Sequence, residues 1–296
     1  MDCKSTYGGS IPSQTSKMSR PMDLVTVTYS GDLDAMRLQA HSLDLFATEP
    51  ITHHVYVEDS ALDLATWHTV LAQFYARNQL VLYDGNSLLN SRLGTVETTG
   101  WVRHQPLKLL AARHVQGPSY LVLDCKNILL KPVDFRSWPV QHGNGRSNLG
   151  VWLDGMDYFL PDLIAYTGIP RPATLVNPIT PWVMHSDLAL QCFDRGYLHW
   201  LLRHPEPFEF TLYSFVAEEA KRSVGFYQDP TCFGIWQPDQ MRERKSLDGF
   251  YAKPEIVMIA LHRDAIRVIS DKSHTIARWL ADIGLDPQLI AAYVGV

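Results

Sequence analysis

The chain of 296 residues contains 46% hydrophobic and 19% charged residues, a composition that can bury a large core. Its formal net charge of -5 argues against a protein that binds duplex nucleic acid, because such proteins usually carry a clustered basic face. The four cysteines are widely spaced, so neither a disulfide framework nor a zinc site is expected, and a reducing cytoplasm is the expected compartment.

The N-terminal segment differs in composition from the rest of the chain. Residues 1–21 are rich in Ser, Gly, Pro and Lys and lack the apolar centre of a secretory signal, so we expect a disordered tail. No linker divides residues 22–296, which we expect to form a single domain. No apolar run approaches the ~18 residues of a membrane span.

Short apolar strands alternate with amphipathic helices in the first half of the chain. The expected strands are Leu24–Tyr29, His53–Asp59, Gln79–Gly85 and Tyr120–Asp124. Helical spacing of apolar residues follows the first two strands, and another helical segment precedes the fourth, with Pro106 near its first turn. This alternation predicts an α/β fold with a mostly parallel, Rossmann-type central sheet flanked by helices.

The second half of the chain has a different pattern. Residues 143–181 are rich in Gly, Pro and Asn, and loops of this length are usually binding loops or lids. Helical patterns follow at residues 186–203, 211–221 and 273–283, and the last strand is expected to end on His262. We therefore expect a half of the domain that is rich in loops and helices.

Polar residues stand where the expected strands end. In mostly parallel sheets, ligands bind beyond the carboxyl ends of the strands. Tyr29, Glu58 with Asp59, Asp84 and Asp124 occupy such ends. Because these ends meet at one rim of the sheet, the sequence predicts a binding site there.

The segment that follows the fourth strand carries the most informative side chains. Asp124 can hold a divalent cation or a ribose hydroxyl, whereas Lys126, two residues later, can bind an anion as a point charge. Lys108, on the preceding helix, can add a second positive charge, and Asn127 offers both a donor and an acceptor. Each of these residues also has an ordinary structural explanation, as a turn acid or as a surface lysine.

Two chemistries fit this segment. One is a sugar-nucleotide site, and the other is a metal-dependent nuclease, because Asp124 and Lys126 satisfy the D-x-K pattern of nuclease strands. A nuclease also needs an upstream acid, and there is none between Thr98 and Leu123. The sugar-nucleotide site is therefore preferred, with the nuclease as the alternative.

Four stretches of the sequence resemble the bacterial GT-A-type glycosyltransferases, specifically the poorly characterised DUF6492 family. They are "DLVTVTYSGDLDAMRLQAHSL", "GWVRHQPLKLLAARHVQGPSYLVLDCKNILLKP", "TPWVMHSD" and "PFEFTLYSFVAEE", and together they span about residues 23–262. The resemblance implies a GT-A-like domain with a nucleotide-binding half (about residues 22–140) and an acceptor half (about residues 141–296).

The resemblance also implies roles for residues that bind the donor. By position, Thr28 and Tyr29 would line the base or ribose, with Glu58 or Asp59 nearby. The other implied donor-binding residues are Gln105 and Lys108, which would reach the diphosphate, and Asp124 with Asn127 at the central strand.

The acceptor half would supply the residues that meet the second substrate. The resemblance suggests Glu209 as the general base. The second expected catalytic residue, Lys126, belongs to the nucleotide-binding half, and its role follows from a departure from the family pattern. Trp182, His185 and Tyr213 are the expected acceptor-binding residues. If Glu209 were instead buried and satisfied by its neighbours, a protein that binds a nucleotide sugar without turnover would be favoured.

The chain departs from the usual GT-A pattern at one informative position. Those transferases hold Mn²⁺ or Mg²⁺ with the two acids of an Asp-x-Asp motif. In this chain Lys126 occupies the position of the second acid. A protonated lysine cannot ligate a metal, so Lys126 could supply charge that a metal would otherwise bring, and the enzyme could be metal-independent. Alternatively, Asp124 and His262 together hold the cation.

The sequence therefore predicts a cytoplasmic glycosyltransferase of polysaccharide biosynthesis, which could be peripheral at the membrane. Its expected partners are a nucleotide sugar and a glycan or lipid-linked acceptor, with no nucleic acid and no transmembrane span.

Overall fold

The computed structural model describes most of the chain. The described residues are 20–95, 100–137, 144–145, 159–172, 180–204, 209–222, 226–227, 232–235, 244–262 and 270–295. The expected tail, except for residues 20 and 21, and most of the expected loops in residues 143–181 lie outside these ranges.

A five-stranded sheet forms the centre of the domain. Its strands are β1 (Met22–Thr28), β2 (Ile51–Val57), β3 (Gln79–Asp84), β4 (Ser119–Asp124) and β7 (Trp182–His185). The strand order is β3-β2-β1-β4-β7, and all neighbours are parallel except β7, which runs antiparallel to β4. The predicted α/β class with a mostly parallel central sheet is confirmed. The chain order changes direction between β1 and β4, which makes this pair the switch point of the sheet.

Eleven α-helices lie in the described part of the chain. They are α1 (Leu33–Phe46), α2 (Leu64–Leu71), α3 (Gly85–Leu93), α4 (Trp101–Leu110), α5 (Leu160–Thr167), α6 (Ser186–Asp194), α7 (Leu198–Leu201), α8 (Glu209–Glu219), α9 (Arg244–Tyr251), α10 (Ser270–Asp282) and α11 (Pro287–Val294). No helix among them combines the length and apolar character that spanning a bilayer requires.

The central sheet is covered by helices on both faces because its strands are apolar on both faces. Val25 and Val27 of β1 pack with α4, α6 and α8 on one face. Val55 and Val57 of β2 pack with α1, α2, α10 and α11 on the other. Both faces are therefore buried, and polar groups of the strands reach a ligand only at their ends.

Two smaller sheets also lie in the described part of the chain. β5 (Asn127–Leu129) pairs antiparallel with β10 (Met258–Leu261), which pairs parallel with β9 (Cys232–Ile235). β6 (Asn144–Gly145) pairs with β8 (Phe226–Tyr227). Because only two residues separate β4 from β5, the turn between them joins the central sheet to a second sheet.

Some expected element boundaries were wrong. Helix α4 begins at Trp101, so Pro106 lies inside it and not in its first turn. The expected helix over residues 186–203 is divided into α6 and α7, and the turn at Gly196, whose φ is 74°, separates them.

Candidate active site

A cleft of about 730 Å³ opens at the carboxyl ends of β1, β2 and β4, at the switch point of the sheet. Its polar and aromatic lining, among the described residues, comprises Tyr29, Asp32, Glu58, Trp101, His104, Asp124, Cys125, Lys126, His262 and Tyr293. The volume lies within the range of small-molecule and cofactor sites, and the position is where α/β sheets of this kind bind ligands.

Four charged side chains form a cluster on one side of the cleft. The Nζ atom of Lys108 lies 2.8 Å from Oε1 of Glu209 and 3.3 Å from Oδ1 of Asp124. The other oxygen of Asp124, Oδ2, lies 3.2 Å from Nζ of Lys126. We call Lys108, Asp124, Lys126 and Glu209 the charge cluster. Its inner members, Lys108 and Glu209, have side chains only 3% and 1% exposed, whereas Asp124 and Lys126 face the cleft at 18% and 19%.

The cluster fixes the protonation states of its central members. Burial alone would raise the pKa of Asp124, but the charges of Lys108 and Lys126 and a hydrogen bond from Thr180 outweigh it and hold the pKa well below its usual range. Burial alone would lower the pKa of Lys108, but Asp124 and Glu209 raise it above its ordinary value. Asp124 is therefore a carboxylate and Lys108 an ammonium at neutral pH.

Hydrogen bonds hold the turn between β4 and β5, on which Asp124 and Lys126 stand. The backbone N–H of Asp124 donates to Oδ1 of Asn127 at 2.7 Å. From α1, Nε2 of the buried Gln39 donates to the backbone oxygens of Asp124, at 2.7 Å, and Asn127, at 3.1 Å. Thr26 of β1 donates in turn to Oε1 of Gln39 at 3.2 Å. The turn is thus fixed to both its neighbouring strand and α1.

The cleft lining also carries a contact between a carboxylate and an imidazole and two exposed aromatic rings. Oε2 of Glu58, just beyond β2, lies 3.1 Å from Nε2 of His104 on α4. Trp101 and Tyr29 are 43% and 39% exposed, although both are large rings in a cleft. Exposed aromatic faces of this kind can stack on a base or a sugar ring.

Five of the sequence-predicted residues line this cleft. They are Tyr29, Glu58, Asp124, Lys126 and His262. His262 comes from the far end of the chain, directly after β10, and Tyr293 of α11 lines the cleft beside it. Residues that are far apart in the sequence, from Tyr29 to Tyr293, therefore line the same cleft.

The other expected donor-binding residues are not part of this lining, and their roles in donor binding remain predictions. Lys108 does not extend into the cleft, because Asp124 and Glu209 hold it beneath the floor. Gln105 is buried and donates to the backbone oxygen of His204. Thr28, Asp59 and Asn127 are also absent from the lining: Thr28 is buried at the end of β1, Asp59 accepts hydrogen bonds from Ser30, and Asn127 holds the turn.

The expected acceptor residues also lie outside this lining, and their roles remain predictions. Trp182 and Tyr213 are core side chains: Trp182 stacks on Phe210 at 4.7 Å, and the Tyr213 hydroxyl accepts from the backbone N–H of His185 at 2.8 Å. Neither they nor His185 belong to the cleft lining. Glu209 is likewise beneath the cleft, with Oε1 bonded to Lys108 and no hydrogen-bond partner for Oε2 among the described residues. Asp84, the remaining strand-end acid, caps α3 through the backbone N–H of Ser87.

Sequence reasoning missed Trp101 and His104, although a signal was present. Trp101, His104 and Lys108 are spaced by three and four residues, so a helix that begins at Trp101 places them on one face. Cys125 and Asp32 were also missed. They contact each other across the cleft lining, where Sγ of Cys125 donates to Oδ2 of Asp32 at 3.2 Å.

The residues around Asp124 do not fit the divalent cation that a GT-A-like fold implies. Each oxygen of this carboxylate already faces a lysine ammonium. A divalent cation about 4 Å from an ammonium group is repelled by roughly 8 kcal/mol at an effective dielectric constant of about 20, and two such groups are present. Within the described ranges no three His, Cys, Asp or Glu side chains are grouped to hold a metal, so Asp124 and His262 have no third ligand there.

Comparison with known proteins identifies the family of the chain. A family model described as "Family of unknown function (DUF6492)" matches residues 17–247, which is more than half of the chain. Among curated proteins, none matches the sequence significantly.

Solved structures of glycosyltransferases share the fold. Mouse xyloside xylosyltransferase 1 aligns with a TM-score of 0.50 at 10% identity, over 83% of this chain and 99% of that protein. The bifunctional glycosyltransferase WbbM aligns at 0.53 and 10% identity, over 89% of this chain but only 51% of WbbM. The glycosyltransferase GlyE of Streptococcus pneumoniae aligns at 0.50 and 9% identity, over 92% and 62% of the two chains. The fold is GT-A-like, and at these identities the similarity concerns the fold alone.

Proposed function

The chain belongs to the DUF6492 family, and from that membership and its GT-A-like fold we propose that it is a glycosyltransferase that uses a nucleotide-activated sugar. The acceptor is a glycan or a similar molecule, which can be lipid-linked. The observation that carries this proposal is the position of Asp124 and Lys126, an acid and a base that face a cleft at the switch point of the sheet.

In this proposal different residues of the cleft bind different parts of the donor. Lys126, held by Asp124, binds the diphosphate as a positive point charge. Glu58 accepts hydrogen bonds from the ribose hydroxyls, as acids at the end of the second strand do in dinucleotide-binding sheets, and Tyr29 stacks on the base. The division into a donor half and an acceptor half remains part of the proposal, with His262 as a contribution of residues 141–296 to the same cleft.

The transfer step requires a bond exchange at the anomeric carbon of the sugar. The bond from this carbon to the diphosphate oxygen breaks, and its electron pair leaves with the diphosphate. A bond from the acceptor oxygen to the same carbon forms, and the hydroxyl proton of the acceptor is released to solvent. Lys126 stabilises the charge that grows on the leaving diphosphate.

Glu209 has a different role in this proposal from the one that the sequence suggested. With its side chain 1% exposed and bonded to Lys108, it does not reach an acceptor in the cleft. We assign it the task of holding Lys108 against Asp124, so it is a positioning residue and not the general base.

The cytoplasmic location of the protein and its association with a membrane surface remain predictions.

Differential scanning fluorimetry with nucleoside diphosphates and nucleotide sugars tests the proposal. A ligand that binds only the folded state raises the melting temperature with its concentration. We expect a shift with one nucleoside diphosphate and its sugar derivatives, followed by release of that diphosphate when acceptor glycans are added. The absence of any shift across UDP, GDP, dTDP and CMP ligands would contradict a sugar-nucleotide site.

A second candidate is a protein that binds a nucleotide sugar without turnover, and the burial of Glu209 favours it. Only one oxygen of Glu209, Oε1, has a hydrogen-bond partner among the described residues, so its satisfaction is incomplete. Donor hydrolysis in the absence of an acceptor distinguishes the two functions. A transferase slowly hydrolyses the nucleotide sugar to the nucleoside diphosphate and the free sugar, whereas a binding protein leaves the donor intact. The nuclease alternative requires a metal at Asp124, which the two lysines oppose.

A further inference from the structure

We infer that the leaving diphosphate is stabilised by Lys126 in a preformed, charge-balanced cluster, and that donor binding requires no divalent cation. This inference rests on the proposed function, because it concerns the diphosphate of the same donor. It goes further by assigning the charge of a metal to two lysines of the chain itself.

The charges of the cluster balance without a metal. Asp124 and Glu209 contribute two negative charges, and Lys108 and Lys126 contribute two positive charges, so the sum is zero. Two acids with one divalent cation also sum to zero. The two lysines therefore supply the same total positive charge as a divalent cation, but they are covalently part of the fold and are already in place before the donor binds.

The burial of the four side chains divides their tasks. Lys108 and Glu209 are almost fully buried, so neither can meet a ligand directly. Lys108 holds one oxygen of Asp124, and this leaves the other oxygen directed at Lys126. Lys126 faces the cleft and carries the charge that a diphosphate can contact. Glu209, from α8, balances the buried charge of Lys108.

The geometry around the turn restricts where the Lys126 ammonium can lie. Gln39 and Asn127 fix the backbone on both sides of Asp124, and Asp124 fixes the head of Lys126. The ammonium group is thus oriented before binding, as electrostatic stabilisation of a transition state requires. In this role Lys126 donates hydrogen bonds to the diphosphate and takes no part in proton transfer.

The experiment measures binding of UDP, GDP, dTDP and CMP to the full chain by calorimetry and thermal shift, in EDTA and in Mn²⁺. The variants are Lys126→Met, which removes the charge, Lys126→Arg, which keeps it, and Lys253→Met, which removes an exposed lysine outside the cleft lining. The melting temperature of each variant without ligand verifies that it is folded.

We expect the wild type to bind one nucleotide equally well in EDTA and in Mn²⁺. Loss of a charged hydrogen-bond donor predicts that Lys126→Met weakens this binding by about 10- to 100-fold. Lys126→Arg should retain most of the affinity, and Lys253→Met should behave as the wild type.

Two results would overturn the inference while the proposed function stands. One is binding that requires Mn²⁺, and the other is unchanged binding by Lys126→Met in EDTA. A different result, no binding of any nucleotide by the wild type with or without Mn²⁺, would refute the proposed function itself and this inference with it. The two failures are therefore distinguishable in a single data set.

Discussion

Replacement of Lys108 by Met tests the buried half of the charge cluster through stability. The substitution keeps most of the side-chain volume but removes the ammonium that lies 2.8 Å from Glu209 and 3.3 Å from Asp124. Asp124 keeps Lys126 as a partner, whereas Glu209 is left as a charged group that is 1% exposed. Removing one partner of a buried ion pair costs about 3–5 kcal/mol.

Thermal and urea denaturation of Lys108→Met measure this cost. A change of 1 kcal/mol shifts the melting temperature of a domain of about this size by roughly 2–4 °C, so we expect a fall of about 6–20 °C. As a control, Arg222→Met breaks the exposed ion pair with Asp187, whose side chains are 42% and 58% exposed. Such pairs contribute about 0–1 kcal/mol.

A double variant separates the ion pair from the loss of packing. Glu209→Gln removes the charge that Lys108→Met leaves unpaired, so the two changes together should cost about 2 kcal/mol less than the sum of the single changes. A cost below about 1 kcal/mol for Lys108→Met, or additive costs in the double variant, would refute the description of a buried, coupled pair.

Three further predictions follow from other parts of the structure. Burial lowers the pKa of His53 from 6.5 to about 3, so as the pH falls this residue is protonated in the unfolded chain before it is protonated in the folded one. Lowering the pH from 7 to 5 should therefore reduce the free energy of unfolding by about 2 kcal/mol through this residue. Urea unfolding at both pH values checks this, and an equal pH dependence in His53→Gln would contradict it. Gln39→Met leaves two turn carbonyls without their donor, so we expect a loss of about 1–3 kcal/mol and weaker nucleotide binding, measured by denaturation and calorimetry. A Cβ at Gly31 would overlap the Tyr29 ring, so Gly31→Ala should displace the ring and weaken nucleotide binding. The melting temperature should stay within about 2 °C of the wild type. Unchanged affinity would show that the position of the ring does not matter for binding.

The central sheet could be predicted from the sequence because its signals are local. Each of the first four strands is an apolar run followed by a polar residue, and the helices between them have clear apolar periodicity. The beginning of α4 was missed because Pro106 was taken as a marker of the first turn, whereas the structure accommodates it inside the helix. The second sheet was missed since β5 contains three residues and pairs with β10, which is more than 120 residues away.

The candidate site could be predicted only in part, for a related reason. Asp124 and Lys126 were found because the sequence places both at the end of a strand. The sequence does not show that Glu209 lies next to Lys108, since 101 positions separate them and the contact depends on how α8 packs on α4. For the same reason the residues Trp182 and Tyr213 appeared suitable as an acceptor wall, although packing buries both of them.

The hydrogen bonds that fix the turn between β4 and β5 have a consequence for the thermodynamics of binding. The backbone groups of Asp124 and Asn127 are bonded to side chains of the fold before a ligand arrives, so ordering this turn costs no further conformational entropy when the ligand binds. Amide exchange at Asp124 should therefore be slow in the free protein and change little with nucleotide. Affinity at this side of the cleft would be limited by desolvation of the Lys126 ammonium and of the diphosphate, and not by closure of a loop.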